Sequence, residues 1–162
     1  MSTKAKVILG IDPGYARVGW GVIRVLGDQI ECVDYGCFET SKDEEIAQRL
    51  ALISAELCEI LKRHKPDDVV IEELFWGRSV TNGIRVSMAR GVMMVEAVRH
   101  TGRIFEYRPN QVKQAVTGSI KADKKEIQTA VMEMLRLETK PKPDDAADAL
   151  AIALTHLILT SI

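Results

Sequence analysis

Apolar residues occur in short, β-branched runs before residue 40 and mostly at spacings of three or four residues after it. The runs predict strands, and the short turns between the first three predict an antiparallel meander. The predicted strands are 6–11, 17–26, 30–38, 68–73 and 103–107. Because a helical segment separates the fourth strand from the meander, we expect that strand to run parallel to the first through a right-handed crossover.

Helical spacing is present in five segments. Ser41 and Glu44 stand three residues apart, as in a capping box, and predict the start of the first helix, which Pro66 ends. The other helices are predicted over 80–100, 109–117, 124–136 and about 145–159. A chain of 162 residues is long enough for one domain with a substantial core. We therefore predict an α/β protein, a single domain over 1–162, with a five-stranded mixed sheet flanked by helices.

Four carboxylates interrupt otherwise apolar segments. Asp12 and Glu72 end predicted buried strands. Asp145 and Asp148 are three residues apart and so share a face of the last helix. If strands one and four are parallel neighbours, their carboxyl ends coincide, which is where ligands bind in open α/β sheets. Local explanations also exist for each acid: an Asp-Pro-Gly turn, a solvated strand end, or the dipole of the last helix.

Convergence of these four acids predicts a divalent metal site. Several like charges in one place repel each other, and a divalent cation relieves the repulsion. Carboxylate oxygens without His or Cys favour hard ions such as Mg²⁺ or Mn²⁺. Two such ions about 3.5–4 Å apart can hold a phosphodiester, activate water and stabilise the leaving oxygen. Gly14, Gly19 and Gly21 follow Asp12, and we expect them to let a phosphate backbone come close.

Charge distribution, cysteine content and hydropathy bear on the ligands and the cellular compartment of the protein. The net charge of −1 conceals a basic stretch, 99–125, in which seven Lys or Arg residues stand against two acids. Such a stretch is typical of a phosphate-binding surface, and equally of a solvated helix face. The three cysteines lack CxxC spacing, which argues for reduced thiols in a cytosol. The most apolar segment, 146–162, is too short and too polar to span a bilayer, so we expect a cytoplasmic protein without a membrane anchor.

Five motifs carry a family resemblance: IDPGYARVGWGVI, VVIEELFWGR, MARGVMMVEA, YRPNQVKQAVTG and DDAADALAIALTH. In order and spacing they resemble the RuvC family, the bacterial Holliday-junction resolvases, over nearly the whole chain. The resemblance implies an RNase H-like fold, a homodimer, and paired nicking of four-way DNA junctions in recombination and repair. It further implies two Mg²⁺ ions per active site, with Mn²⁺ as a substitute, and branch-migration helicase subunits as partners.

The resemblance also assigns roles to individual residues. Catalytic and metal-binding roles fall on Asp12, Glu72, Asp145 and Asp148, although some family members carry His where this chain has Asp145. Successive strand residues face opposite ways, so only one of Glu72 and Glu73 can join the site, and the resemblance selects Glu72. It likewise leaves Asp144 as the helix N-cap. DNA-binding roles fall on Phe75, Arg78, Arg108, Lys113, Lys121 and Lys124.

Two structural roles and three rival functions stay open at this point. Phe75 either stacks on an unpaired base at the junction centre or caps the core. The Met-rich face of helix 80–100 is either ordinary core or, since a two-fold junction suits a two-fold dimer, a subunit interface. The phosphate loop of actin-like phosphotransferases is similar to IDPGYARVGWG, but that class needs two large lobes. The other rivals are a different RNase H-like nuclease and a catalytically silent junction-binding protein.

Overall fold

The computed structural model describes residues 4–74 and 79–161. Its elements in chain order are β1 (Lys6–Asp12), β2 (Arg17–Leu26), β3 (Gln29–Glu39), α1 (Ile46–His64), β4 (Asp68–Glu72), α2 (Val80–Thr101), β5 (Phe105–Tyr107), α3 (Pro109–Thr117), α4 (Lys124–Leu135) and α5 (Asp144–Thr160). The predicted strands and helices are confirmed, with ends that differ by a few residues.

The sheet has the strand order β3-β2-β1-β4-β5. β2 pairs antiparallel with both β1 and β3, whereas β4 pairs parallel with both β1 and β5. The predicted meander, parallel crossover and mixed sheet are therefore confirmed. Ile11 of β1 lies opposite Ile71 of β4, so the residues that follow, Asp12 and Glu72, emerge side by side at one edge of the sheet.

Side chains alternate between two helical layers, one on each face of the sheet. Ile11 and Leu57 belong to the buried apolar cluster formed with α1 and α2. Ile8 and Leu150 belong to the cluster formed with α3, α4 and α5. Because Asp12 has the same parity in β1 as Ile8, its side chain points to the face that α5 covers.

Helix α5 packs directly on the backbone of β1 and β2. A Cβ atom at Gly10 would lie 2.1 Å from a carbonyl oxygen of α5, and one at Gly19 would lie 2.1 Å from the carbonyl oxygen of Asp145. At Gly21 a Cβ would lie 2.7 Å from the side chain of Leu150. The prediction that Gly19 and Gly21 admit a phosphate backbone is wrong, because α5 already fills the space that these glycines leave.

The loops before β2 and α1 also differ from the sequence prediction. Gly14 serves a turn, since a Cβ there would lie 2.0 Å from the carbonyl oxygen of Arg17. The predicted capping box of Ser41 and Glu44 does not form. Instead the amide of Glu44 donates to the carbonyl of Ser41 in a separate turn, and α1 begins only after its N-cap, Glu45.

A buried polar network ties the far end of α5 to the sheet. The two ring nitrogens of His156 lie 2.9 Å from the Asp68 carboxylate and 2.9 Å from the Tyr107 hydroxyl. Lys6 and Arg103 reach the same carboxylate at 2.5 and 3.2 Å. Burial lowers the pKa of His156. Burial alone would raise the pKa of Asp68, but hydrogen bonds from Lys6 and His156 outweigh it and lower that pKa. The network therefore holds α5 in a fixed position along the sheet.

Candidate active site

Three carboxylates meet at the carboxyl edge of the sheet, and we call them the acid trio: Asp12, Asp145 and Asp148. Asp12 ends β1, while the other two lie in the first turns of α5, where that helix docks on Gly19. One oxygen from each carboxylate lies within 4.8 Å of the others. Among residues 4–74 and 79–161, no other cluster of His, Cys, Asp and Glu side chains has this geometry.

Glu72 lies beside the acid trio rather than within it. It ends β4 next to Asp12 and lines the same cleft as Asp148. Its neighbour Glu73 is exposed and pairs with Arg108, whose Nε lies 3.2 Å from the Glu73 carboxylate. The strand alternation therefore separates these two adjacent acids, with Glu72 turned to the cleft.

Burial and mutual repulsion raise the pKa values of these acids. Burial and the charges of Asp148, Glu72 and Asp145 raise the pKa of Asp12 from 3.8 to about 8. Burial and the charge of Asp148 raise the pKa of Glu72 from 4.5 to about 7. The pKa of Asp148 is also raised, chiefly by burial, despite a nearby lysine. The site therefore resists full ionisation without an added cation.

Lys124 is the basic residue that faces Asp148. Its ammonium lies 3.7 Å from the carboxylates of both Asp148 and Asp144. The sequence analysis predicted Asp144 as the N-cap of α5, and this prediction is wrong. Pro143 is the N-cap, and its carbonyl accepts a hydrogen bond from the amide of Ala146. The carboxylate of Asp144 is consequently free to face Lys124.

Arg17 is a site residue that the sequence reasoning missed. Its Nη1 lies 3.3 Å from Oδ2 of Asp145. Arg17 opens β2 two residues before Gly19, so strand alternation places both on the same face. That parity is visible in the sequence, but the face on which α5 docks is not.

A cleft of about 260 Å³ runs from the acids to the basic segment. Its lining includes the acids Glu72 and Asp148 and the lysines Lys113 and Lys124. Lys121 is exposed in the loop between α3 and α4. The structure thus brings two of the predicted basic residues to the acids and leaves Lys121 and Arg108 on the outer surface.

The remaining predicted contacts, Phe75 and Arg78, lie outside the described residues. Arg90, a further arginine near the site, has a side chain that is only 12% exposed and already makes contacts within the protein. Its guanidinium donates to the backbone carbonyl of Glu72 and to Glu106, so it supports the end of β4.

The residues present fit a hard divalent cation. The acid trio offers three oxygen ligands within 4.8 Å of one another, and Glu72 offers a fourth nearby. Neither His nor Cys contributes, which disfavours zinc and favours oxygen-preferring ions. Burial is the main cause of the raised pKa of Asp12, and the charges of the neighbouring acids, which add to it, are also what would attract a cation.

Comparison with known proteins gives a consistent result. A Pseudothermotoga lettingae protein described as crossover junction endodeoxyribonuclease RuvC is 41% identical over 96% of this chain and 96% of its own. An Alkaliphilus metalliredigens protein of the same description is 46% identical over 93% of this chain and 92% of its own. Thermus thermophilus RuvC, solved in complex with Holliday junction substrate, superimposes with a TM-score of 0.90, 37% identity and 95% and 94% coverage of the two chains.

The strand order, the two helical layers and the acids at the carboxyl edge define an RNase H-like α/β protein, as expected. A yeast mitochondrial Holliday junction resolvase, Ydc2, shares this fold at a TM-score of 0.70 and 13% identity, over 95% of this chain and 78% of its own. The chain belongs to the RuvC family, since the model of crossover junction endodeoxyribonuclease RuvC matches residues 8–156. Family membership excludes the actin-like phosphotransferase. Within the described ranges, no helix has the length and apolar character needed to cross a bilayer.

Proposed function

We propose that the chain, as a single domain over 1–162, is an endonuclease that resolves four-way DNA junctions by paired symmetric nicks. Family membership supports this function, together with the junction bound to the Thermus relative. The observation that carries it in this chain is the acid trio, one member of which, Asp148, lines a cleft together with Lys113 and Lys124.

We propose that the acid trio and Glu72 hold two Mg²⁺ ions, for which Mn²⁺ can substitute. Bound there, the ions supply an activated water and charge stabilisation for the leaving oxygen of the phosphodiester. The carboxylates fix the place of the scissile phosphate relative to the cleft. Lys113 and Lys124 line the same cleft, and their ammonium groups would offset negative charge on the phosphate.

Further from the acids, we propose basic side chains that bind DNA backbone phosphates without sequence specificity. Arg108 and Lys121 are exposed and suit backbone phosphates, which any sequence presents. Phe75 and Arg78 keep the DNA-binding roles that the family resemblance implies. Branch-migration helicase subunits are the partners that we propose on the same ground.

Junction cleavage tests the proposed function directly. In Mg²⁺ buffer we expect symmetric nicks in a mobile four-way junction and little cutting of linear duplex of the same sequence. Denaturing gels of end-labelled arms locate the nicks. Comparable cutting of duplex or of an RNA–DNA hybrid would favour another RNase H-like nuclease. Junction binding without any cutting would favour a silent junction-binding protein.

Metal affinity should depend on pH with a defined sign. Asp12, with its pKa near 8, and Glu72, with its pKa near 7, must lose their protons before they bind a cation. We therefore expect the affinity for Mg²⁺ to rise from pH 6 to pH 8, by up to about tenfold per pH unit for each proton displaced. Calorimetric titrations at three pH values measure this, and a pH-independent affinity contradicts it.

We propose a homodimer that pairs through α2. An exposed apolar stripe runs along this helix, with residues 45–65% exposed: Val80, Ile84, Met88, Val95 and Val98. Stripes of this kind mark protein interfaces more often than free surface. Beside it, a groove of about 550 Å³ separates α1 from α2.

Met88→Glu should therefore convert a dimer into a monomer. The carboxylate would be buried without a partner in the interface, which costs several kcal/mol. Light scattering at micromolar concentration measures the mass, and single nicks should replace paired ones. Leu26→Glu, at a position 47% exposed at the end of β2, is the control and should leave the mass unchanged. A wild-type protein that is monomeric under these conditions contradicts the proposal.

A further inference from the structure

Glu39 orients the Arg17 side chain toward the acid trio. Its Nε and Nη2 donate to Oε1 of Glu39 at 3.0 and 2.7 Å. The remaining arm, Nη1, lies 3.3 Å from Oδ2 of Asp145. Glu39 thus fixes the plane of the guanidinium on the β2–β3 ladder, and the free arm is directed at one carboxylate of the site.

A second arginine–glutamate pair on β2 and β3 shows which part of the Arg17 arrangement only stabilises the two strands. Arg24 donates to Glu31 through the same two nitrogens at the same distances, 3.0 and 2.7 Å. Both arginines are about half exposed. Cross-strand stabilisation is therefore matched between the two pairs, whereas the contact with Asp145 belongs to Arg17 alone.

We propose that Arg17 is a resident counter-cation that weakens divalent-ion binding at the acid trio until a DNA phosphate arrives. The proposal rests on the proposed metal site. A guanidinium remains charged at all relevant pH values, so a change of pH does not remove its repulsion of an incoming ion. Half of the Arg17 side chain is solvent-exposed, so the effect is moderate rather than absolute.

A DNA phosphate supplies the negative charge that neutralises the Arg17 guanidinium and so removes its repulsion of the divalent ion. Arg17 presents planar N–H donors that match a phosphate, and because its side chain is half-exposed, Nη1 can donate to a phosphate while Nε and Nη2 keep their bonds to Glu39. A phosphate that takes up Nη1 releases the Asp145 carboxylate to the ion. Metal binding and DNA binding then strengthen each other, and by linkage each raises the affinity of the other by the same factor.

Mn²⁺ binding in the absence of DNA tests the proposal. Electron paramagnetic resonance of free Mn²⁺ gives the dissociation constant for wild type, Arg17→Met and Arg24→Met. Methionine keeps the length and apolar stem of the side chain but removes the charge. We expect Arg17→Met to bind roughly three- to tenfold more tightly, as expected for a partly exposed charge pair. Arg24→Met should match the wild type. An Arg17→Met affinity that is unchanged or weaker overturns the proposal.

A double variant distinguishes failure of this inference from failure of the proposed function. In Arg17→Met/Asp12→Asn the gained affinity should disappear, because the ion has lost a carboxylate of the acid trio. If Arg17→Met binds no more tightly while the wild type still needs Mg²⁺ to cut junctions, the inference alone fails. If the double variant keeps the gained affinity and cutting needs no metal, the proposed metal site fails as well.

Discussion

Asp12→Asn is expected to cut a mobile four-way junction at least about 10³-fold more slowly than the wild type, because loss of a direct ligand costs more than the 10–100-fold typical of a second-layer partner. Binding should be at least as tight as in the wild type, since one negative charge near the phosphates is removed. Gel-shift titration in EDTA and cleavage in Mg²⁺ measure the two quantities. Asp28→Asn, in an exposed turn, is the control and should cut normally.

The same variant should be more stable than the wild type in metal-free buffer at pH 8. The folded pKa of Asp12 lies near 8 and its unfolded pKa near 3.8, so the folded state holds a proton that the unfolded state releases over that range. Stability of the wild type therefore falls as pH rises from about 4 to 8. Asn carries no charge and escapes this loss. Urea unfolding at pH 6 and pH 8 measures the effect, and a destabilised Asp12→Asn at pH 8 contradicts it.

Gly10→Ala is expected to lower the free energy of unfolding by about 3–5 kcal/mol or to prevent folding, the range of severe overpacking. The added methyl would lie 2.1 Å from the carbonyl oxygen of Ala149 and 2.8 Å from the amide nitrogen of Ala153. Both are backbone atoms of a buried helix and cannot turn aside. Urea unfolding measures the loss of stability.

Gly91→Ala supplies the matched control for the added methyl group. Gly91 lies in α2 beside the proposed dimer interface, so this control is measured in the monomeric Met88→Glu background, where a Cβ at Gly91 meets no atom within 4 Å. This substitution should stabilise the protein by about 0.5–1 kcal/mol, because alanine favours the helix. Equal stability of the Gly10→Ala and wild-type proteins would mean that α5 does not pack on β1 as described.

The sheet was predictable because its information is local and periodic. Apolar runs identify the strands, and the helix between β3 and β4 requires the parallel crossover that brings Asp12 beside Glu72. For the glycines of β1 and β2, the sequence predicts a close approach of another group but not which group approaches. Their lack of side chains predicts a close approach, but no local signal says whether a helix or a ligand approaches. Helix α5 contacts Gly10, Gly19 and Gly21 from more than 120 positions along the chain.

The site was predictable where strand ends and helix faces determine it, and less so where side chains reach across elements. Parity places Asp12 and Glu72 on one face, and a spacing of three places Asp145 with Asp148. The contact between Arg17 and Asp145 depends instead on how far α5 descends onto the sheet. That contact depends on the distance between β2 and the start of α5 in the folded protein, which neither residue type nor sequence spacing predicts.

The acid trio joins the first strand of the described fold to its last helix, so it can assemble only after α5 has been synthesised. Asp12 leaves the ribosome early, whereas the first turn of α5 leaves it after every other helix and strand of the described fold. A nascent chain therefore exposes the basic residues of α3 and α4 before its acids can converge. Nuclease activity therefore requires that synthesis has passed α5 and that this helix has docked on the sheet.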